Sequence, residues 1–142
     1  MTEKISYAKT VYGQDEINAV LEQSDIVALN VHVTEETYQM INEATLSKMK
    51  SNVLLVNTSR GDIINENDLV NALKDELIAG VGLDVFDKEP LPQDHKLRFM
   101  PNALLLPHIG YVTVENYSKF YSQMIENLNA CLENKPIREI TN

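Results

Sequence analysis

Apolar residues along this chain come in short continuous runs separated by stretches with helical spacing. Ile17, Val20 and Leu21 fall on one face of a helix predicted over Gln14–Glu22, and Ser24-Asp25 then breaks into the apolar run Ile26–Val31. Thr34-Glu35-Glu36-Thr37 offers a capping hydroxyl with acids in a first turn. Asn42–Lys48 reads as a further short helix, and Asn52–Asn57 as the next strand. Asn65-Glu66-Asn67-Asp68 opens a helix through Leu69, Val70, Leu73 and Leu77, and Ile78–Leu83 follows as strand. Ala103–Leu106 is a last apolar run. From Thr113 to about Glu133, Tyr117, Phe120, Tyr121, Met124, Ile125, Leu128 and Leu132 recur at three-and-four spacing, which predicts one long amphipathic helix.

Continuous rather than alternating apolar strands, separated by helices, predict an α/β fold with a parallel sheet carrying helices on both faces. The runs also end alike. Val53–Asn57 stops before Thr58-Ser59-Arg60, Ile78–Leu83 before Asp84, and Ala103–Leu106 before Pro107-His108. Ligands of open α/β sheets collect outside the carboxyl ends of the strands, so Arg60, Asp84 and His108 are expected to line one crevice. The connection from Asp87 to Pro101 is the longest irregular stretch and is a candidate lid or wall for it.

Composition narrows the partners. With 142 residues, 44% of them apolar, the chain is read as one domain able to bury a core. A formal charge of −9, scattered along the chain, disfavours nucleic acid and anionic membrane surfaces. The start Met-Thr-Glu-Lys has no basic segment followed by an apolar core, so a cytoplasmic location is expected. Cys131 is the one cysteine, and its place in the long helix predicts a buried or half-buried hydrophobe. His32 and His95 have no metal spacing with Cys131; they are read as a strand-end and a loop histidine, and no metal site is expected.

Three motifs then carry a resemblance. Leu-Val-Asn-Thr-Ser-Arg-Gly at 55–61, Gly-Leu-Asp-Val-Phe-Asp-Lys-Glu-Pro-Leu-Pro at 82–92 and Leu-Pro-His-Ile-Gly at 106–110 stand in the order found in the D-isomer-specific 2-hydroxyacid dehydrogenases. The similarity extends from roughly Leu21 to Asn127, with Ser24–Val27 and Thr34–Thr37 also in place. It implies a Rossmann-like but truncated nucleotide-binding domain acting with NAD, NADP not being excluded, on the CH–OH group of a small 2-hydroxy or 2-oxo acid.

By that resemblance Arg60 would hold the substrate carboxylate, a task suited to a planar fork of donors. His108 would be the general acid and base at the carbonyl oxygen, and Glu89 would orient and charge it. Asp84 would accept from the nicotinamide carboxamide, and Val31, Thr58, Ser59 and Gly110 would meet the cofactor mainly through backbone. Each residue also has an ordinary use: a solvated charge for Arg60, a turn for Pro107-His108, a loop acid for Glu89, a cap for Asp84. Gly61, Gly80 and Gly82 are read as packing or turn glycines.

Two departures from the family pattern follow. The family's Gly-x-Gly-x-x-Gly phosphate turn does not occur in these residues, nor does a preceding substrate domain of about a hundred residues. Where the family shows His-x-Pro, this chain reads Asn30-Val31-His32. The chain is therefore expected to be a partial NAD-binding domain, inactive alone and self-associating through uncovered apolar surface. The alternative expectation is a catalytically silent half-domain that docks on another copy or on a partner.

Overall fold

A computed structural model describes residues 12–13 and 16–140. The elements in chain order are helix α1 (Ile17–Gln23), strand β1 (Ile26–Leu29), helix α2 (Glu43–Leu46), strand β2 (Leu54–Asn57), helix α3 (Glu66–Lys74), strand β3 (Gly80–Leu83), strand β4 (Ala103–Leu105) and helix α4 (Val114–Leu132). Short 3-10 turns at Gly61–Ile63 and Lys96–Phe99 precede α3 and β4. Expectation and structure agree in number and kind. The first helix begins at Ile17, and the Gln14 and Asp15 positions of the expected helix lie outside the described residues, as does the Met-Thr-Glu-Lys start. Thr34–Thr37 forms an isolated turn rather than a helix start: the Thr34 N–H donates to Thr37 Oγ1 at 2.8 Å, and Thr37 Oγ1 donates to the His32 carbonyl at 2.6 Å.

Local chemistry sets the helix starts. Asn42 Oδ1 accepts from the Ala44 and Thr45 N–H groups while Thr45 Oγ1 accepts from the Asn42 N–H, a reciprocal cap on α2. Asn65 Oδ1 accepts from Asn67 and Asp68 N–H at 3.2 Å each and starts α3, and Thr113 Oγ1 accepts from Asn116 N–H to start α4.

The four strands are parallel and lie in the order β1-β2-β3-β4. Their register aligns Leu29, Asn57, Leu83 and Leu105 in one row at the carboxyl edge. Two bonds continue that row beyond the strands: Asp84 N–H donates to the Asn57 carbonyl at 3.0 Å, and Leu106 N–H to the Leu83 carbonyl at 2.8 Å.

This is the Rossmann-like α/β arrangement expected, with unequal cover on the two faces. Val27, Leu29, Leu55, Val81 and Leu83 point into a core with Ile41, Leu46, Ile63, Leu69 and Leu73. On the opposite face Ile26, Leu54 and Leu104 are 64%, 48% and 66% exposed.

The chain divides into two compact units after His108. One core was expected for the whole chain, and the core cluster found lies in the first unit. In the second unit α4 has no buried residue. Its half-buried positions are Asn116, Gln123, Asn127 and Ala130, and the apolar stripe is exposed, as at Met124 and Ile125 (both 61%). Cys131 is correspondingly exposed rather than buried, since the helix face it shares has no covering layer within the described residues.

Candidate active site at the carboxyl edge of the sheet

The turn after β2 is closed by a side chain. Asn57 is fully buried; its Nδ2 donates to the Arg60 carbonyl at 2.7 Å and its Oδ1 accepts from the Ser59 N–H at 3.0 Å. Ser59 Oγ donates to the Leu29 carbonyl at 2.9 Å, tying the ends of β1 and β2 together. These bonds satisfy a polar side chain in an apolar layer and fix where Arg60 leaves the sheet. A cavity of about 200 Å³ opens there, lined by Asn30, Val31, His32, Thr58, Ser59 and Arg60.

Next to Arg60, Gly61 lies against the loop that follows β3. A Cβ at position 61 would sit 2.0 Å from the Phe86 carbonyl carbon and 2.4 Å from the Asp87 nitrogen. No side chain fits at that distance, so the glycine lets two segments touch that bear candidate catalytic groups. Gly61 is thus a packing glycine, as read from the sequence, and its packing brings the Arg60 turn against the Phe86–Asp87 loop.

The loop places Glu89 against His108. Glu89 Oε1 accepts from the Phe86 N–H at 3.0 Å, and Glu89 Oε2 lies 2.7 Å from His108 Nδ1. The hydrogen bond from His108 holds the Glu89 carboxyl below the ordinary glutamate range, outweighing partial burial, with smaller help from the Phe86 N–H and the charges of His108 and Arg60. An ionised Glu89 therefore accepts from Nδ1–H, which leaves Nε2 as the nitrogen able to exchange a proton. His108 has φ 55°, in the left-handed region that histidine, like Asn and Asp, adopts more often than most residues. A cavity of about 590 Å³ beside the pair is bounded by Glu89, His108 and Arg98 and by apolar Phe86, Leu91 and Leu105.

Asp84 is 4% exposed, at the first position past β3. The structure thus brings Glu89 and His108 into direct contact and sets Arg60 near enough for its charge to act on Glu89. Val31, Thr58 and Ser59 gather with Arg60 around the smaller cavity. Gly110 is exposed in the second unit, in the segment leading to α4.

The loop after Asp87, a candidate lid or wall, is a pinned wall. Arg98 Nε donates to the Pro92 carbonyl at 2.8 Å and Arg98 Nη2 to the Leu91 carbonyl at 2.6 Å. His95 is more than the loop histidine expected: its Nδ1 accepts from Leu97 N–H and its Nε2 lies 3.2 Å from Glu66 Oε2. Sequence reasoning passed over Asn57, Glu66 and Arg98 as site-shaping residues. A polar residue ending an apolar strand was a usable signal for Asn57; the partners of Glu66 and Arg98 are set by tertiary contact. Among the described residues no group of three or more His, Cys, Asp or Glu could hold a metal ion, and no helix is long and apolar enough to cross a membrane.

Comparison with known proteins shows the family. Residues 2–110 match the family model of the D-isomer specific 2-hydroxyacid dehydrogenase, NAD binding domain, and the chain belongs to that family. It is 44% identical over 118 residues to a glyoxylate reductase of Thermofilum pendens, covering 83% of this chain and 35% of that protein. Among solved structures it resembles a glyoxylate reductase from Paecilomyes thermophila (TM-score 0.70, 38% identity, 85% of this chain and 37% of that one). It also resembles a D-isomer specific 2-hydroxyacid dehydrogenase from Xanthobacter autotrophicus Py2 in complex with NADPH and MES (TM-score 0.77, 26% identity, all of this chain and 58% of that one). The chain spans about a third of the length of the curated relatives it matches.

Proposed function

We propose that this chain supplies the nicotinamide and acid–base half of an oxidoreductase that interconverts a small D-2-hydroxy acid and its 2-oxo acid with NAD or NADP. The observation that carries the reading is the 2.7 Å contact between Glu89 and His108 at the sheet edge where Arg60 also emerges. The glyoxylate reductases among its relatives support a short 2-oxo acid as substrate.

The residues present fit the cofactor in kind. A buried carboxylate at Asp84 suits an amide donor, and the polar cavity at Val31, Thr58 and Ser59 offers backbone and hydroxyl partners to a nucleotide. When bound, the nicotinamide supplies or accepts the hydride. The chain's own residues do the rest. Arg60 binds the substrate carboxylate through its guanidinium fork. Glu89 accepts from Nδ1–H and fixes the ring. His108 then carries a proton at Nε2 for the carbonyl oxygen in reduction and takes it back in oxidation. Gly110 would approach the cofactor through backbone. A cytoplasmic location suits this chemistry.

In this reading the 142 residues form a partial NAD-binding domain, and the substrate-selecting contacts and the glycine-rich phosphate turn belong to a part not represented in them. The chain alone should therefore show no NADH-dependent reduction of glyoxylate, pyruvate or hydroxypyruvate, and clear turnover would refute this. Amide chemical-shift mapping tests the half-site itself. Added NADH is expected to move signals at Thr58–Arg60, Asp84 and His108; shifts confined to other segments would contradict the assignment.

Self-association is a second part of the proposal, supported by the exposed stripe of α4 and by Ile26, Leu54 and Leu104 on the open sheet face.

A further inference from the structure

We propose that Glu66 is a positioning residue for the acid–base pair, holding in place the loop that presents Glu89 to His108; the proposal rests on the role given above to that pair. Glu66 sits in the first turn of α3, five residues past the motif that ends at Gly61 and outside it, and its side chain is only 13% exposed. Its two carboxylate oxygens have separate partners on one loop. Oε1 accepts from the Asp87 N–H at 3.0 Å, two residues before Glu89, and Oε2 lies 3.2 Å from His95 Nε2, six residues after it. Both ends of the segment carrying Glu89 are therefore fastened to one carboxylate on α3.

The donor arrangement makes this a matched lock. His95 Nδ1 accepts from the Leu97 N–H at 3.3 Å, so the ring proton belongs on Nε2, which is the nitrogen that faces Glu66. An acceptor on both oxygens of residue 66 satisfies both loop donors. An amide there cannot: its oxygen serves one donor, and its NH2 then meets either the Asp87 N–H or the His95 Nε2–H. Turning the His95 tautomer to relieve this would set a second proton against the Leu97 N–H. Glu66 is thus fitted in charge as well as in shape, although it touches neither His108 nor the cavity beside it.

Within the segment, Glu89 has two bonds of its own, from the Phe86 N–H and from His108. The first of these depends on the path of the chain from Phe86 to Asp87, which the Glu66 bond and the close contact with Gly61 both define. Asp62 and Asp87 are the acids whose charges bear on this corner together with Glu66 and His95. Arg60 and His108 are the cations that bear on Glu89.

The test follows the carboxyl carbon of Glu89 by NMR through a pH titration of the full chain, in the wild-type protein and in Glu66→Gln and Glu66→Ala. Glu89 is expected to titrate below the ordinary glutamate range in the wild type, to move up toward that range in Glu66→Gln, and to move further in Glu66→Ala. Amide exchange at Asp87 and Leu97 should quicken in the same order. The isosteric Glu66→Gln variant decides the matter if Glu66→Ala does not fold. A Glu89 titration unchanged from wild type in folded Glu66→Gln would overturn the proposal, because a residue that only stabilises α3 would leave that titration where it was. No cofactor enters the experiment, so its failure leaves the NAD reading to be judged by the NADH mapping, and failure of that mapping leaves the Glu66 result intact.

Discussion

At the scale of single residues, the site depends on a few atoms whose roles run against their residue type. Gly61 acts by having no side chain, and Asn57 by folding its amide back onto its own turn. Gly61→Ala is expected to destabilise the chain by about 1–3 kcal/mol, the usual cost of overpacking, read by urea denaturation, because the Phe86–Asp87 backbone must move away. A wild-type unfolding midpoint would contradict the contact. Asn57→Ala leaves a buried carbonyl and an N–H without their partner and should cost about 1–3 kcal/mol as well.

The acids predict opposite pH behaviour. Glu89 has a folded pKa below its unfolded value, so its stabilising contribution is present above the ordinary glutamate range and is lost as pH falls through the folded value. His108→Ala should weaken that dependence in a urea-denaturation series across pH, since the bond from His108 is its largest cause; an unchanged pH profile would contradict this. Asp87 is raised instead, first by partial burial and then by Glu66 and Asp62. Its ionised form costs stability above the folded value, and the cost is relieved as pH falls toward the unfolded one. Asp87→Asn should therefore stabilise the chain at neutral pH and make no difference in strong acid; equal gains at both pH values would show that charge is not the cause.

At the scale of elements, strand ends were the legible part. Apolar runs stopping at Asn57, Leu83 and Leu106 put Arg60, Asp84 and His108 past strand ends of one edge, because a parallel sheet aligns its carboxyl ends whatever the sequence between them. The one crevice expected there is instead two cavities, one lined by Arg60 and one by His108, with Asp84 lining neither. What tied the edge together was less legible. The Glu66–Asp87 and Ser59–Leu29 bonds join segments 21 and 30 residues apart, and no local periodicity reports such pairs. The sheet's two faces were also not distinguishable, since Leu54 and Leu55 are alike in sequence and differ only in what covers them. Leu55→Ala should cost about 2–5 kcal/mol and Leu54→Ala clearly less, measured by thermal or urea unfolding of the same chain. Equal losses would mean that both faces are covered in solution.

At the scale of the whole molecule, α4 carries the largest uncovered apolar stripe among the described residues. Its three-and-four spacing identified a long helix within a residue or so at each end, yet the apolar stripe that defined it is exposed. Amphipathic spacing says that a face can be buried and leaves open what buries it. Sedimentation is expected to show a dimer or larger species at micromolar concentration, and Ile125→Lys with Leu128→Lys should shift it toward monomer. A well-folded wild-type monomer would contradict the self-association proposed here.

The central claim is that these residues form the nicotinamide and acid–base half of a D-2-hydroxyacid dehydrogenase site. Calorimetric titration of NADH into the purified chain, with an Asp84→Ala, His108→Ala variant of matched circular dichroism as control, tests it most directly. Measurable binding that the variant loses is expected. Absence of binding at millimolar NADH, or equal binding by the variant, would contradict it.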